Sequence, residues 1–397
     1  MEVDTQVGIT KAERHAWRLH QVRAHIRLGR LFGIPIGLHY TWFVVAVLIA
    51  LSLAGHFRAL HRGWSDLLIF SVSLSTALLF FGSLLVHELA HALVATRSGL
   101  AVRSIVLFAL GGQAQIEGEP ADWQTEMRLG LVGPVTSVLV GLLFLGAASV
   151  TGWSPDFEPS TPFTSMCVWL GTINILLGGF NMLPAFPLDG GRVLRALVWW
   201  RGHDPSSATR AAAVVSQAVA YGLIMFGLTV FVISGGFGGL WMALVGWFLL
   251  EAARESVLQV AVRDALRDVR VSHLMRPGWP RVDAHLPLDR FVFDHLLRGP
   301  SRAYAVTRGD QVEGLVTPVE VQQVEQPLWT RITVEQVMLP LEEMPAVTPE
   351  QSALEVVERM TRDDVEELPV VEQGEIRGLF TRTSVLEYLQ RRGELHM

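Results

Sequence analysis

Long apolar runs separated by short polar segments fill the first two thirds of the chain. Runs long enough to cross a bilayer fall at 31–56, 68–96, 129–150, 163–187, 212–233 and 237–253, since about 20 apolar residues in a helix span the hydrocarbon core. Each predicts a transmembrane helix, six in all. The last run is short, with Trp241 and Trp247 placed as interfacial anchors. After residue 253 the pattern changes. "EAARESVLQVAVRDALRDV" reads as an amphipathic helical connector, and two blocks of short strand-like and helix-like stretches follow. The expected fold is an α-helical polytopic membrane domain over 31–253, preceded by a segment 1–30. A helical linker at 254–270 and two soluble α/β repeats, 271–326 and 327–392, complete it.

Composition supports this division. Half of the 397 residues are hydrophobic and mean hydropathy is +0.36, whereas a soluble chain of this size is polar on average. Through residue 260 there are 16 basic and 15 acidic residues, a net +1; beyond it there are 16 and 23, a net −7, giving −6 together. No basic patch large enough to suit nucleic acid appears. Cys167 is the single cysteine, so an intrachain disulfide is excluded and cysteine cannot build a metal site alone.

The start shows no secretory signal pattern, and Lys11, Arg14, Arg18, Arg23, Arg27 and Arg30 lead into the first run. Segments 1–30, 97–128 and 190–211 carry most of the arginines of this region, while 151–162 and 234–236 carry none. The positive-inside rule then predicts a multi-pass protein of the cell membrane with both termini in the cytoplasm.

Chemistry enters with "HELAH", residues 87–91, inside the second run. His87 and His91 are four apart, so on a helix they project from one face about one turn apart. Two neutral imidazoles so placed can hold one Zn²⁺, and Glu88 beside them can take a proton from a water that the metal polarises. An incidental polar helix is the bland reading. It is disfavoured within a span, where each ionisable group costs roughly 2.5–3.5 kcal/mol at mid-bilayer.

Catalytic zinc usually takes three protein ligands and leaves one position open. Asp189 is the candidate third, being the sole acidic residue between Glu158 and Asp204. It follows Pro184 and Pro187, which break a helix, and precedes Gly190 and Gly191, which allow close backbone approach. Capping of a helix over "DGGRVLRAL" is the other role open to it, and the two can coexist.

"HELAH" and "NMLPAFPLDGG", together with "GRLFGIPIGLHYTW", "LGGQAQIEGEP" and "GPVTS", resemble the site-2 protease family of intramembrane zinc metalloproteases over roughly residues 28–200. The resemblance implies that His87, His91 and Asp189 ligate zinc and that Glu88 is the general base. Asn181 matches an asparagine that the family uses near the substrate or oxyanion; a satisfied helix-end amide is the alternative. Ser137 stands where the family often has asparagine, and Gly133, Ser137 and Gly141 at four-residue spacing read as close helix packing. His39 matches the pattern too and reads as structural. Segment 103–118 reads as a surface hairpin, either a plain connection or an edge to which an unwound substrate adds as a strand.

In the acidic tail "VSHLMRP" echoes "VEQVMLP", with Met275 and Met338 63 apart, and "GLVTPVEVQQV" echoes "GLFTRTSVLEYL", with Gly314 and Gly378 64 apart. The blocks resemble a tandem pair of CBS domains, which implies an adenine nucleotide between them. The family's ribose contact is Thr/Ser, two residues, then Asp. Here the positions hold Thr317 with Glu320 and Thr381 with Ser384, so the Asp is missing from both. A purely structural pair, or one joining two copies of the chain as a homodimer, is the alternative.

The combined expectation is a zinc-dependent intramembrane endopeptidase acting on single-span membrane proteins in regulated proteolysis, with the CBS pair as a regulator. A CBS-regulated transporter or channel is the rival, because spans with such tails suit both. An ion pathway has no need of the HExxH spacing.

Overall fold

The computed structural model describes residues 26–394 apart from 110, 203, 300–302, 310, 341–345, 364 and 373–374. The arginine-rich lead-in thus lies outside the described residues up to position 25. The chain divides between Leu258 and Gln259 into two compact units.

Among the described residues of the first unit, two strands come first. β1 (Ile26–Leu31) and β2 (Ile34–Leu38) form an antiparallel hairpin. Its turn places both Phe32 and Gly33 at positive φ, 51° and 82°, as a two-residue hairpin turn that follows strand twist requires. The run 31–56 was expected to be helical throughout. Gly33, Pro35 and Gly37 make a helix there costly, and the span α1 begins at Thr41 (Thr41–Leu60).

α2 (Asp66–Arg97) follows, its N-terminus capped by the Ser65 hydroxyl accepting from the Leu68 N–H. The chain then returns to the sheet. β3 (Ala101–Phe108) pairs parallel with β2 and antiparallel with β4 (Gly111–Glu117), giving the order β1-β2-β3-β4. The expected hairpin at 103–118 is therefore half of a sheet completed by β1 and β2. Ile34, Ile105 and Ala92 form the small core that packs this sheet on α2.

α3 (Trp123–Val150) starts at Asp122, which accepts from the Thr125 N–H at 2.7 Å. α4 (Pro162–Asn181) starts at Thr161 with proline in its first turn. α3 and α4 approach so closely that a Cβ added to Gly141 would lie 2.8 Å from the Gly171 carbonyl, as the small-residue spacing predicts. The run 163–187 does not stay helical to its end. α4 stops at Asn181, a non-helical loop with a cis Phe186–Pro187 bond follows, and the amphipathic α5 (Asp189–Trp200) begins at Asp189.

α6 (Pro205–Ser234) is capped by Asp204 and closed by Gly235 in the left-handed region. α1, α2, α3, α4 and α6 are the five described helices long and apolar enough to cross a membrane. The sixth expected span opens α7 (Phe237–Leu266), whose later turns carry Glu251, Arg254 and Glu255 and absorb most of the expected linker.

The second unit contains two sheets. β6 (Arg281–Asp283), β7 (Tyr304–Arg308), β8 (Gln311–Val316) and β9 (Leu339–Pro340) form one; β10 (Glu367–Glu372), β11 (Glu375–Thr381) and β5 (Arg276–Pro277) form the other. The short strand that opens each repeat is thus paired in the other repeat's sheet, β5 on β11 and β9 on β8. Gly314 and Gly378 mark the crossings, where a Cβ would meet the Leu339 and Arg276 carbonyls at 2.5 Å each.

Candidate metal centre

α2 presents His87 and His91 on one face, both buried, with their Nε2 atoms 3.2 Å apart. Asp189, the first residue of α5, brings Oδ2 to 3.3 Å from each of these nitrogens. The three ligand-type atoms converge on one point, a grouping that could hold a metal ion. The sequence-predicted trio, 98 residues apart between His91 and Asp189, is assembled.

Three features of the chain deliver Asp189. The loop before it is anchored, the Phe186 N–H donating to Ser216 Oγ on α6 at 2.8 Å and Phe186 packing on Ala212 and Ala213. Gly190 and Gly191 let α5 start against the loop's own backbone; a Cβ on Gly191 would lie 2.8 Å from the Ala185 carbonyl carbon. Thirdly, α3 leaves room. A Cβ on Gly133 would sit 2.6 Å from His87 Nε2 and closer still to His91 Nε2, filling the space between the ligand atoms.

Ser137, one turn further along α3, holds His87. Its Oγ lies 2.8 Å from His87 Nδ1, so a proton on Nδ1 leaves the Nε2 lone pair facing Asp189. His91 Nδ1 has no hydrogen-bond partner among the described residues. Glu88 lies between the helix and the sheet, and its Oε2 accepts from the Ala114 N–H of β4 at 3.1 Å. Gly112 on the same strand is pressed on the Glu88 side chain, with no space for a Cβ.

Asn181 closes α4, half-buried, at the head of the loop that ends on Asp189. His39 is structural in its contacts, with Nδ1 2.8 Å from Thr41 Oγ1.

In the second unit the four candidate ligand-site residues are engaged in helix starts. Glu320 accepts from both the N–H and the hydroxyl of Thr317 in a capping box. Ser384 Oγ accepts from the Thr381 N–H at 3.3 Å, and the Ser384 N–H donates to Thr381 Oγ1 at 3.0 Å.

Residues 75–154 and 158–226 match the family model of peptidase family M50, and residues 334–391 that of the CBS domain. Rip3 of Mycobacterium tuberculosis is 34% identical over 346 residues, 85% of this chain and 86% of that protein. The chain belongs to peptidase family M50. The zinc metalloprotease MJ0392 of Methanocaldococcus jannaschii is 28% identical over 363 residues, 91% of this chain and 95% of its own length. Among solved structures, the site-2 protease from Methanocaldococcus jannaschii is similar over 58% of this chain and 94% of its own, at 28% identity and a TM-score of 0.39.

As an M50 member the protein is a multi-pass zinc metalloendopeptidase of the membrane with a CBS region, and the transporter reading falls away. The trio suits that metal. Two imidazole nitrogens and a carboxylate oxygen are a zinc donor set, and the glycine opposite keeps their meeting point clear.

The motifs do not reveal Ser137 as a partner of His87, nor Glu126, which meets Arg192 and Arg195 of α5. A signal existed. Glu126, Gly130, Gly133 and Ser137 follow the spacing of one helix face.

Proposed function

We propose that His87, His91 and Asp189 hold one Zn²⁺ and that Glu88 is the general base in hydrolysis of peptide bonds of membrane-spanning substrates. The convergence of two Nε2 atoms and one carboxylate oxygen within 3.3 Å, with Glu88 on the adjoining helical position, carries this reading. Zinc held there supplies a Lewis acid that polarises a carbonyl and acidifies water. The chain supplies the rest. Glu88 Oε2 is occupied by the Ala114 N–H, which leaves Oε1 to take the proton of the attacking water and pass it to the leaving amide nitrogen. The half-buried amide of Asn181 is a donor for substrate or for charge developing on the carbonyl oxygen.

Substrate presentation follows from β4, the end strand of its sheet. An unwound segment added to that edge runs beside Glu88, because a β4 N–H already reaches that carboxylate. A helical peptide bond is shielded, so strand addition also exposes the bond to be cut. The substrates on this reading are single-span membrane proteins in regulated intramembrane proteolysis.

Both termini lie in the cytoplasm, supported by the arginines of alternate connecting segments. The CBS pair acts as a regulator that binds an adenine nucleotide between its repeats, and it joins two chains as a homodimer. Support for the nucleotide is the two-repeat arrangement; the candidate contacts Thr317, Glu320, Thr381 and Ser384 all stand at helix starts.

The test is Glu88→Gln in purified full-length protein, with zinc content and cleavage of a single-span model substrate measured together. Retained zinc with cleavage lost is expected. Cleavage near the wild-type rate removes Glu88 as the base.

A further inference from the structure

Glu126 is the most buried charged residue among those described, 1% exposed in the first turn of α3. It has no part in the chemistry above. Its Oε1 accepts from Arg192 Nε and from Arg195 Nη1, and its Oε2 from Arg192 Nη2, each at 3.4 Å. Arg195 also lies 3.7 Å from Glu119 Oε1 and 5.9 Å over the Trp199 ring. A carboxylate this deeply enclosed is costly unless its partners stay in place, and removing one side of such a pair leaves an uncompensated buried charge.

The partners' position on α5 gives the cluster its meaning. Arg192 and Arg195 stand three and six residues after Asp189, on the successive turns behind the carboxylate that meets the two histidines. Between Glu126 and the histidines, α3 touches α5 at Gly130, where a Cβ would lie 2.9 Å from the Asp189 carbonyl oxygen. That glycine contact sets how near the helices come. A smooth backbone contact resists neither sliding of α5 along α3 nor rotation about its own axis. Either movement carries Asp189 Oδ2 away from the nitrogens it faces at 3.3 Å. A carboxylate held by two guanidinium groups on consecutive turns resists both, because each bond has its own direction.

We propose that Glu126 is a positioning residue for the metal centre: by clamping Arg192 and Arg195 it fixes the register of α5 and holds the Asp189 carboxylate against His87 and His91. This rests on the reading of Asp189 as a zinc ligand. One face of α3 then serves the site at successive turns. Glu126 fixes α5, Gly130 admits it, Gly133 leaves room at the ligand atoms and Ser137 orients His87.

The experiment measures zinc dissociation from the full-length protein in detergent, by competition with a chromogenic chelator. It compares wild type, Glu126→Gln, Asp189→Ala and the double variant, each checked for folding by its melting temperature. Glu126→Gln is expected to weaken zinc by about 10- to 100-fold, the range for loss of a supporting group around a metal, and Asp189→Ala, which removes a ligand, by more. The double variant should bind no more weakly than Asp189→Ala alone, since Glu126 acts through Asp189. A general loosening of the fold would instead make the two losses multiply, and that result overturns the proposal. Wild-type affinity in Glu126→Gln, with Asp189→Ala weakened, also overturns it and leaves the ligand reading standing. Wild-type affinity in Asp189→Ala overturns the ligand reading and the proposal with it. Should Glu126→Gln not fold, Arg195→Lys takes its place with the same expectations, because lysine keeps the charge and loses the planar fork.

Discussion

Ser137 Oγ meets His87 Nδ1 at 2.8 Å, joining two helices 50 residues apart in sequence. The bond fixes which ring nitrogen of His87 faces Asp189. Ser137→Ala leaves Nδ1 unpaired in a buried position and frees the ring to change tautomer. Zinc affinity should fall about tenfold or more, read by chelator competition. Unaltered affinity means the hydroxyl has no bearing on the metal.

Gly133→Ala tests the space at the ligand atoms. The added methyl falls under 3.0 Å from both histidine Nε2 atoms, so zinc content and cleavage should both be lost. Gly146→Ala on the same helix is the control, since nothing lies within 4 Å of a Cβ there. Equal behaviour of the two variants removes the steric argument.

A reporter fused after Met397 should behave as a cytoplasmic one. Activity characteristic of the opposite face would overturn the orientation drawn from the arginines, and would turn the metal centre towards the other side.

Glu320→Ala removes a capping-box acceptor from a short helix of the second unit. A stability loss of about 0.3–1.5 kcal/mol is expected, followed by thermal denaturation of the full chain. Affinity for ATP, ADP or AMP, measured by calorimetry on the same protein, should change less than twofold. A large loss of nucleotide affinity would show that Glu320 contacts the ligand.

The spans from 66 to 150 were legible because a bilayer demands one long apolar helix, and length alone reports it. The first run misleads for the same reason. Counting apolar residues ignores Gly33, Pro35 and Gly37, which turn part of that run into a sheet. His87 and His91 were legible from their spacing, and Asp189 from its isolation among apolar neighbours. Ser137 and Glu126 were not. Their partners lie 50 and 66 or more residues away, and the glycines between them make the face look like ordinary helix packing.

The crossed strands of the second unit bear on how this tail can be cut or inherited. Deleting either repeat strips an edge from the sheet that remains and leaves its own opening strand without a partner. A half-tail would expose a bare sheet margin, the kind of surface on which chains aggregate. Truncations that stop between the repeats should therefore precipitate, whereas removal of both takes these two sheets away together. For this protein the pair is a single unit of gain or loss.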